Sequence, residues 1–146
     1  MKQLTIIKIG GNVIDNPNTL AQFLIDFAQV KGLKILVHGG GKLATKMAEG
    51  LHIPQQMIDG KRITDAETLK IATMVYAGYI NKNLVTQLQK SGCNAIGLSG
   101  TDGNAIQTIK RPTEPINFGF VGDMTEKSIN TEFIEILLNN SLVPVF

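Results

Sequence analysis

The chain lacks the marks of several functional classes. Its single cysteine, Cys93, rules out an internal disulfide and suits a reducing compartment. Cys93 falls among apolar residues of a strand-like stretch and reads as core packing. The two histidines, His38 and His52, belong to no cluster with metal-ligand spacing, so no metal site is expected. No apolar run reaches membrane-spanning length, and Met1-Lys2-Gln3 leads directly into a strand pattern. Net charge is only +2, and no basic run offers a phosphate-tracking surface, so nucleic acid is not an expected partner. The expectation is a cytoplasmic protein.

What is present suits a packed core: 146 residues, 43% apolar and 18% charged, enough for one domain or one lobe of a larger protein. Leu4-Thr5-Ile6-Ile7-Lys8-Ile9-Gly10-Gly11 organises the rest. A near-continuous apolar run describes a strand covered on both faces, and Lys8 interrupts it. Lys8 lies at the strand's carboxyl end, where parallel α/β sheets place their ligands. Gly10 and Gly11 let backbone approach a bound group with no Cβ between. A cation beside bare N–H groups can hold phosphate. A lysine snorkelling beside an ordinary turn explains the same residues.

Further along, Asp15-Asn16-Pro17-Asn18 reads as a helix entrance, followed by Leu20, Phe23, Leu24 and Phe27 at helical spacing. Leu33–Val37 is a second strand, ending in His38-Gly39-Gly40-Gly41-Lys42, with a helix from about Leu43 to Leu51. Two strand–glycine–helix units argue for right-handed crossovers and a parallel sheet. Pro54 and Asp59-Gly60 mark a small hairpin that carries Lys61 and Arg62. A long helix spans Asp65 to Lys90. Ile71, Met74, Val75 and Gly78 make one apolar face, and Ile80, Leu84 and Leu88 continue on another. Two such faces suggest a subunit contact, hence a homodimer. Cys93–Leu98 reads as a third strand. Ala105–Lys110 pairs with Phe118–Asp123 around a Pro112/Pro115 loop, as an edge pair. Asn130 caps a last helix, and Leu142–Phe146 is a final strand. A core strand with nothing after it looks like part of a longer chain.

Three glycines after a strand and before a helix read as N–H groups aimed at an anion, with a flexible connector as the alternative. His38 reads as structural. A Walker loop fails, because Leu36 and Leu43 stand where glycine and Ser/Thr are required. A dinucleotide fingerprint fails after Gly10-Gly11. An esterase would use His-Gly-Gly-Gly in an oxyanion hole. However, Gly97-Leu98-Ser99-Gly100-Thr101 lacks the closing glycine, and both histidines precede the serine. Arg62 can hold a carboxylate bidentately, or it is a solvated charge beside Lys61. Turn formation accounts for Asp102 and Asp123.

Taken together, Ile6-Ile7-Lys8-Ile9-Gly10-Gly11, Val37-His38-Gly39-Gly40-Gly41, Gly60-Lys61-Arg62-Ile63-Thr64-Asp65, Ala77-Gly78 with Asn81-Lys82, Gly97 to Gly103 and Gly119-Phe120-Val121-Gly122-Asp123 resemble the N-terminal lobe of the amino acid kinase family. The Arg62 segment with Gly119–Asp123 narrows the resemblance to the acylglutamate branch. It implies a three-layer α/β/α sandwich around a mainly parallel sheet. It also implies transfer of the γ-phosphoryl group of ATP, as Mg-ATP, to the side-chain carboxylate of N-acetyl-L-glutamate in arginine biosynthesis. In that resemblance Lys8 stabilises the transferring phosphoryl group, Gly10 and Gly11 flank the phosphates, Gly40 and Gly41 contact the acceptor, and Arg62 holds its α-carboxylate. These residues are expected on loops at one edge of one sheet. Residues 1–146 correspond to the acylglutamate-binding lobe, with the nucleotide-binding lobe absent from this chain. By themselves they are expected to be inactive, and to expose apolar surface at an uncovered final strand. The alternatives are an N-succinylglutamate or other carboxylate or carbamate kinase of the family, or a non-catalytic small-molecule-binding module.

Overall fold

The computed structural model describes residues 3–40 and 42–146. In chain order it contains β1 (Leu4–Ile9), α1 (Gly11–Ile14), α2 (Pro17–Gln29), β2 (Leu33–His38), α3 (Leu43–Gly50), β3 (Gln56–Ile58) and β4 (Lys61–Ile63). Then come α4 (Ala66–Ala72), a π-helical segment (Thr73–Ile80) and α5 (Asn81–Lys90), which run on without a break. The remainder is β5 (Ala95–Gly97), a 3-10 turn (Asp102–Asn104), β6 (Ile109–Lys110), β7 (Gly122–Asp123), α6 (Thr131–Asn139) and β8 (Val143–Val145).

Four strands form one parallel sheet in the order β1-β2-β8-β5. Side chains alternate across it. Ile9, Leu36 and Val145 turn to one face, where α2, α3 and the long helix cover them with Leu24, Phe27, Ala48, Val75 and Leu84. On the other face Ile35 meets Ile134 and Leu138 of α6. The three-layer α/β/α arrangement expected from the resemblance is therefore present. Two small antiparallel pairs, β3–β4 and β6–β7, stand outside the main sheet.

Local chemistry explains the helix starts. The Asn16 side chain accepts the Thr19 N–H at 3.1 Å, with Pro17 in the first turn. Asp65 accepts the Thr68 N–H at 2.8 Å, and Asn130 accepts the Phe133 N–H at 3.1 Å, as its sequence position suggested. The helix α2 ends against a buried cation: Lys34 Nζ donates to the carbonyls of Phe27 (2.9 Å), Ala28 (2.8 Å) and Val30 (2.8 Å). This lysine is 6% exposed, the second residue of β2. Its charge meets the negative end of the helix and adds a donor to the last carbonyls, of which Phe27 also accepts from the Val30 N–H at 3.2 Å.

The long helix departs from the expected picture. Its sequence reads as two apolar faces because Val75 and Ile80 are five residues apart, about 140° around an α-helix. The π-helical segment takes up that extra residue. Ile71, Val75, Ile80, Leu84 and Leu88 then form a single buried stripe in one core. Met74, read as part of the first face, is exposed. A second protomer is therefore not required to cover this helix; Leu69, Met74 and Tyr79 are the large apolar side chains it leaves exposed.

The final strand also departs from expectation. It is interior, between β2 and β5, with Pro144 and Val145 buried. Open apolar surface lies instead on β1, an edge strand of the sheet, where Ile6 is 62% exposed. The strand expected from Cys93 to Leu98 shortens to three paired residues, with Cys93 buried before it. Pairing of the 105–110 and 118–123 segments is confirmed but short, because Phe118 and Phe120 give their backbone bonds to Thr64 instead.

Candidate active site

The two glycine turns meet. They follow β1 and β2, adjacent parallel strands in register (Lys8 opposite Val37, Ile9 opposite His38), so both turns leave the same carboxyl end of the sheet. The Gly39 N–H donates to the Ile9 carbonyl at 3.0 Å. Gly10 is extended and precedes α1, and a side chain there would meet nothing within 4 Å. Backbone at Gly10 thus borders open space, as a phosphate-contacting turn requires.

The second turn is held by a polar knot. Asn81, 1% exposed, donates from Nδ2 to the Val145 carbonyl at 2.9 Å and approaches the Leu98 carbonyl at 3.4 Å. Those carbonyls require a donor, which fixes the amide orientation. The same Nδ2 lies 3.1 Å from His38 Nε2. Nε2 is therefore the acceptor, the ring proton sits on Nδ1, and Nδ1–H donates to the Gly39 carbonyl at 2.9 Å. Burial lowers the His38 pKa and outweighs the opposing effect of the Gly39 contact. His38 is thus a neutral brace that ties the ends of β2, β5 and β8 to the glycine turn. A methyl group at Gly97 would collide with Asn81, so β5 must be bare there.

Beside this knot lies a mostly apolar cavity of about 290 Å³, bordered by Gly39, Gly40, Tyr76, Ala77, Leu98 and Phe146. The Tyr76 ring fills the space above Gly40, where any Cβ would overlap it. The π-helical segment carries Tyr76 and Ala77.

The other expected residues stand apart to different degrees. Lys8 lies on β1 with its side chain exposed, on the strand face shared with Leu4 and Ile6, and forms no ion pair among the described residues. Arg62 is not on a loop of the main sheet but on β4 of the separate hairpin. Its guanidinium donates to Gln55 Oε1 at 2.8 Å and to Thr45 Oγ1 at 3.1 Å. Thr45 is in the first turn of α3, the helix that follows the second glycine turn, so the hairpin docks Arg62 toward the same end. Both partners are neutral, and the cation has no acidic partner among the described residues. Gly41 lies outside the described residues. The Lys42 N–H at the start of α3 already meets a carboxylate, with Asp15 oxygens at 3.2 and 3.3 Å.

Asp102 and Asp123 have local duties. Asp102 accepts from the Ser99 N–H at 2.6 Å and the Ser99 hydroxyl at 2.7 Å, bonds that lower its pKa. Asp123 accepts from Arg111 Nε at 2.9 Å, which lowers its pKa likewise. Among the described residues no group of three His, Cys, Asp or Glu side chains could hold a metal, and no helix is long and apolar enough to cross a membrane. Tyr76 was not singled out from sequence, where it looked like another helix residue. The signal that could have found it is the break in helical period between Val75 and Ile80.

Comparison with known proteins agrees with this geometry. The sequence pattern of the amino acid kinase family matches residues 3–146. The acetylglutamate kinase of Cytophaga hutchinsonii is 56% identical over 146 residues, covering 99% of this chain and 54% of that protein. The acetylglutamate kinase of Phocaeicola vulgatus is 50% identical over 144 residues, covering 99% of this chain and 55% of that protein. The chain thus spans about half the length of the curated relatives it matches. Among solved structures, the smu.665 protein of Streptococcus mutans superposes with a TM-score of 0.76 at 24% identity, covering 98% of this chain and 57% of that one. N-acetylglutamate synthase of Neisseria gonorrhoeae superposes with a TM-score of 0.73 at 18% identity, covering 97% of this chain and 32% of that one. These structural likenesses concern the fold.

Proposed function

The chain belongs to the amino acid kinase family, and from that premise we propose that residues 1–146 form the acylglutamate-binding lobe of an acetylglutamate kinase. The reaction is transfer of the γ-phosphoryl group from ATP, bound as Mg-ATP, to the side-chain carboxylate of N-acetyl-L-glutamate, a step of arginine biosynthesis. A carboxylate oxygen forms the new bond to phosphorus, the bond to the ADP oxygen breaks, and an acylglutamyl phosphate and ADP leave.

The observation that carries this reading is the abutment of the two glycine turns at the end of β1 and β2, with Lys8 two residues ahead of the first turn and Arg62 docked through Thr45 on the helix that follows the second. Phosphoryl transfer asks a protein mainly for positioning and for neutralisation of charge on the equatorial oxygens. Lys8 supplies the mobile ammonium for the moving phosphoryl group. Gly10 and Gly11 offer bare backbone to the phosphates. Gly40 and Gly41 line the acceptor site, and Arg62, held by neutral partners and carrying an uncompensated charge, takes the acceptor's α-carboxylate. Magnesium enters with the nucleotide, not on protein ligands of this lobe. The adenine pocket and a second cation belong to a nucleotide-binding lobe outside this chain, and residues 1–146 alone bind acceptor without turnover. If the protein dimerises, Leu69, Met74 and Tyr79 are the apolar contacts the long helix has to offer.

The test is turnover by the full-length protein with ATP and a panel of acceptors: N-acetyl-L-glutamate, N-succinyl-L-glutamate, unacylated glutamate and carbamate. The acyl phosphate is trapped with hydroxylamine. Acetylglutamate should give the highest kcat/KM. A preference for the succinyl compound or carbamate would reassign the substrate within the family, and binding without turnover of any acceptor would favour a non-catalytic module.

A further inference from the structure

We infer that Tyr76 sets the length of the acyl group the site accepts; this rests on the acylglutamate reading above. The cavity beside Gly40 is mostly apolar, so it suits the uncharged end of the acceptor rather than either carboxylate. In an N-acyl amino acid that end is the acyl chain. Tyr76 and Gly40 form opposite sides of one tight contact: the ring leaves no room for even a methyl group on the turn. The ring therefore cannot swing toward the turn unless the turn moves, and that turn is tied down by the bonds of Gly39 to Ile9 and His38.

The ring is also held from behind. Tyr76 packs against the main core, and its neighbours Val75 and Ile80 are both buried in that core. The π-helical segment fixes its direction, since an α-helical register from Val75 onward would turn the following residues away from this stripe. Ala77 borders the same cavity of about 290 Å³, so the ring and this small side chain share the wall against which an acyl chain would end. A stiff aromatic wall facing a bare backbone turn is a means of excluding added methylenes, because overpacking cannot be relieved by rotamer change.

The experiment compares binding of N-acetyl-, N-propionyl- and N-butyryl-L-glutamate to the full-length protein by calorimetry, in wild type, Tyr76→Phe, Tyr76→Leu and Tyr76→Ala. Circular dichroism confirms that each is folded. Wild type and Tyr76→Phe should weaken about tenfold for each added methylene, the usual order for a pocket that senses one carbon. In Tyr76→Ala the three ligands should bind within about threefold of one another, and Tyr76→Leu, which removes the stiff ring but keeps an apolar side chain against the core, should show the same loss of discrimination and covers the case in which alanine unfolds the protein. The inference is overturned if folded Tyr76→Ala or Tyr76→Leu keeps the wild-type preference for acetyl, or if wild type shows no preference. Should wild type bind none of the three, the acylglutamate reading falls and this one with it, a result distinct from binding with unchanged selectivity.

Discussion

Asn81 and His38, far apart in sequence, meet through Nδ2 and Nε2 at 3.1 Å, and that contact determines which imidazole nitrogen carries the proton. Protonating His38 would set N–H against N–H. Burial already disfavours the charged ring, so its folded pKa lies below its unfolded value. A depressed folded pKa means stability that is present above the unfolded value, near 6.5, and lost as pH falls through the folded one. NMR titration should find His38 titrating below the unfolded-chain histidine value, and stability should decline on acidification below about pH 6.5. The carboxylates Asp65, Asp102 and Asp123, also depressed, act at lower pH. A His38 midpoint above the unfolded-chain value would contradict the assignment.

The three carbonyls held by Lys34 give a stability prediction. Lys34→Met keeps the packed stem and deletes the donor, leaving the end of α2 unsatisfied. Loss of about 1–3 kcal/mol in denaturant unfolding is expected. An unchanged midpoint would mean that water satisfies these carbonyls instead.

The π-helical segment gives a second. Deleting the exposed Tyr79 leaves a four-residue spacing between the buried residues on either side, which an ordinary α-helix accommodates. The deletion should fold, whereas inserting an alanine after Gly78 should rotate Ile80, Leu84 and Leu88 out of the core and abolish cooperative melting. Equal tolerance of both would show that the helix does not depend on its register.

For Lys8, the alanine variant of the full-length protein should, on the proposed reaction, lose about 10²–10³-fold in kcat, the scale for removing one preorganised charge-stabilising group, with a smaller change in KM. Near-normal turnover would remove Lys8 from the chemistry.

Arg62→Lys keeps charge but cannot grip Gln55, Thr45 and a carboxylate together. Acylglutamate KM should rise about tenfold or more, as expected when a charge-assisted hydrogen bond is lost, while ATP KM stays level. An acylglutamate KM equal to wild type would take Arg62 out of the acceptor site.

The layered fold was legible because its signals are local. Apolar strands ended in glycine, Asn130 stood where a cap belongs, and Leu20, Leu24 and Phe27 repeated at helical spacing. The meeting of the two glycine turns was also implied, since consecutive parallel strands bring their carboxyl ends together. What escaped was set by long-range geometry. Two apolar stripes on one helix looked like two partners, because an α-helical period was assumed where the chain adopts a π turn. Lys34 passed as one residue of a strand, because nothing local shows that the end of α2 folds back over it. Tyr76 acquires its role only from a contact with Gly40 across the sheet end.

The strand order carries a cost in time. β8 pairs with β2 through Leu36 and Val145, about 110 residues apart, and also supplies the link between β2 and β5. During translation at about 5–20 residues per second, β5 leaves the ribosome roughly 2–10 s before β8 can join it. Until then β1 and β2 form a two-stranded ribbon, and Leu36, fully buried in the finished protein, has an open backbone edge beside it. Such late, non-local closure makes folding slow and leaves that edge open to wrong pairing while the chain waits.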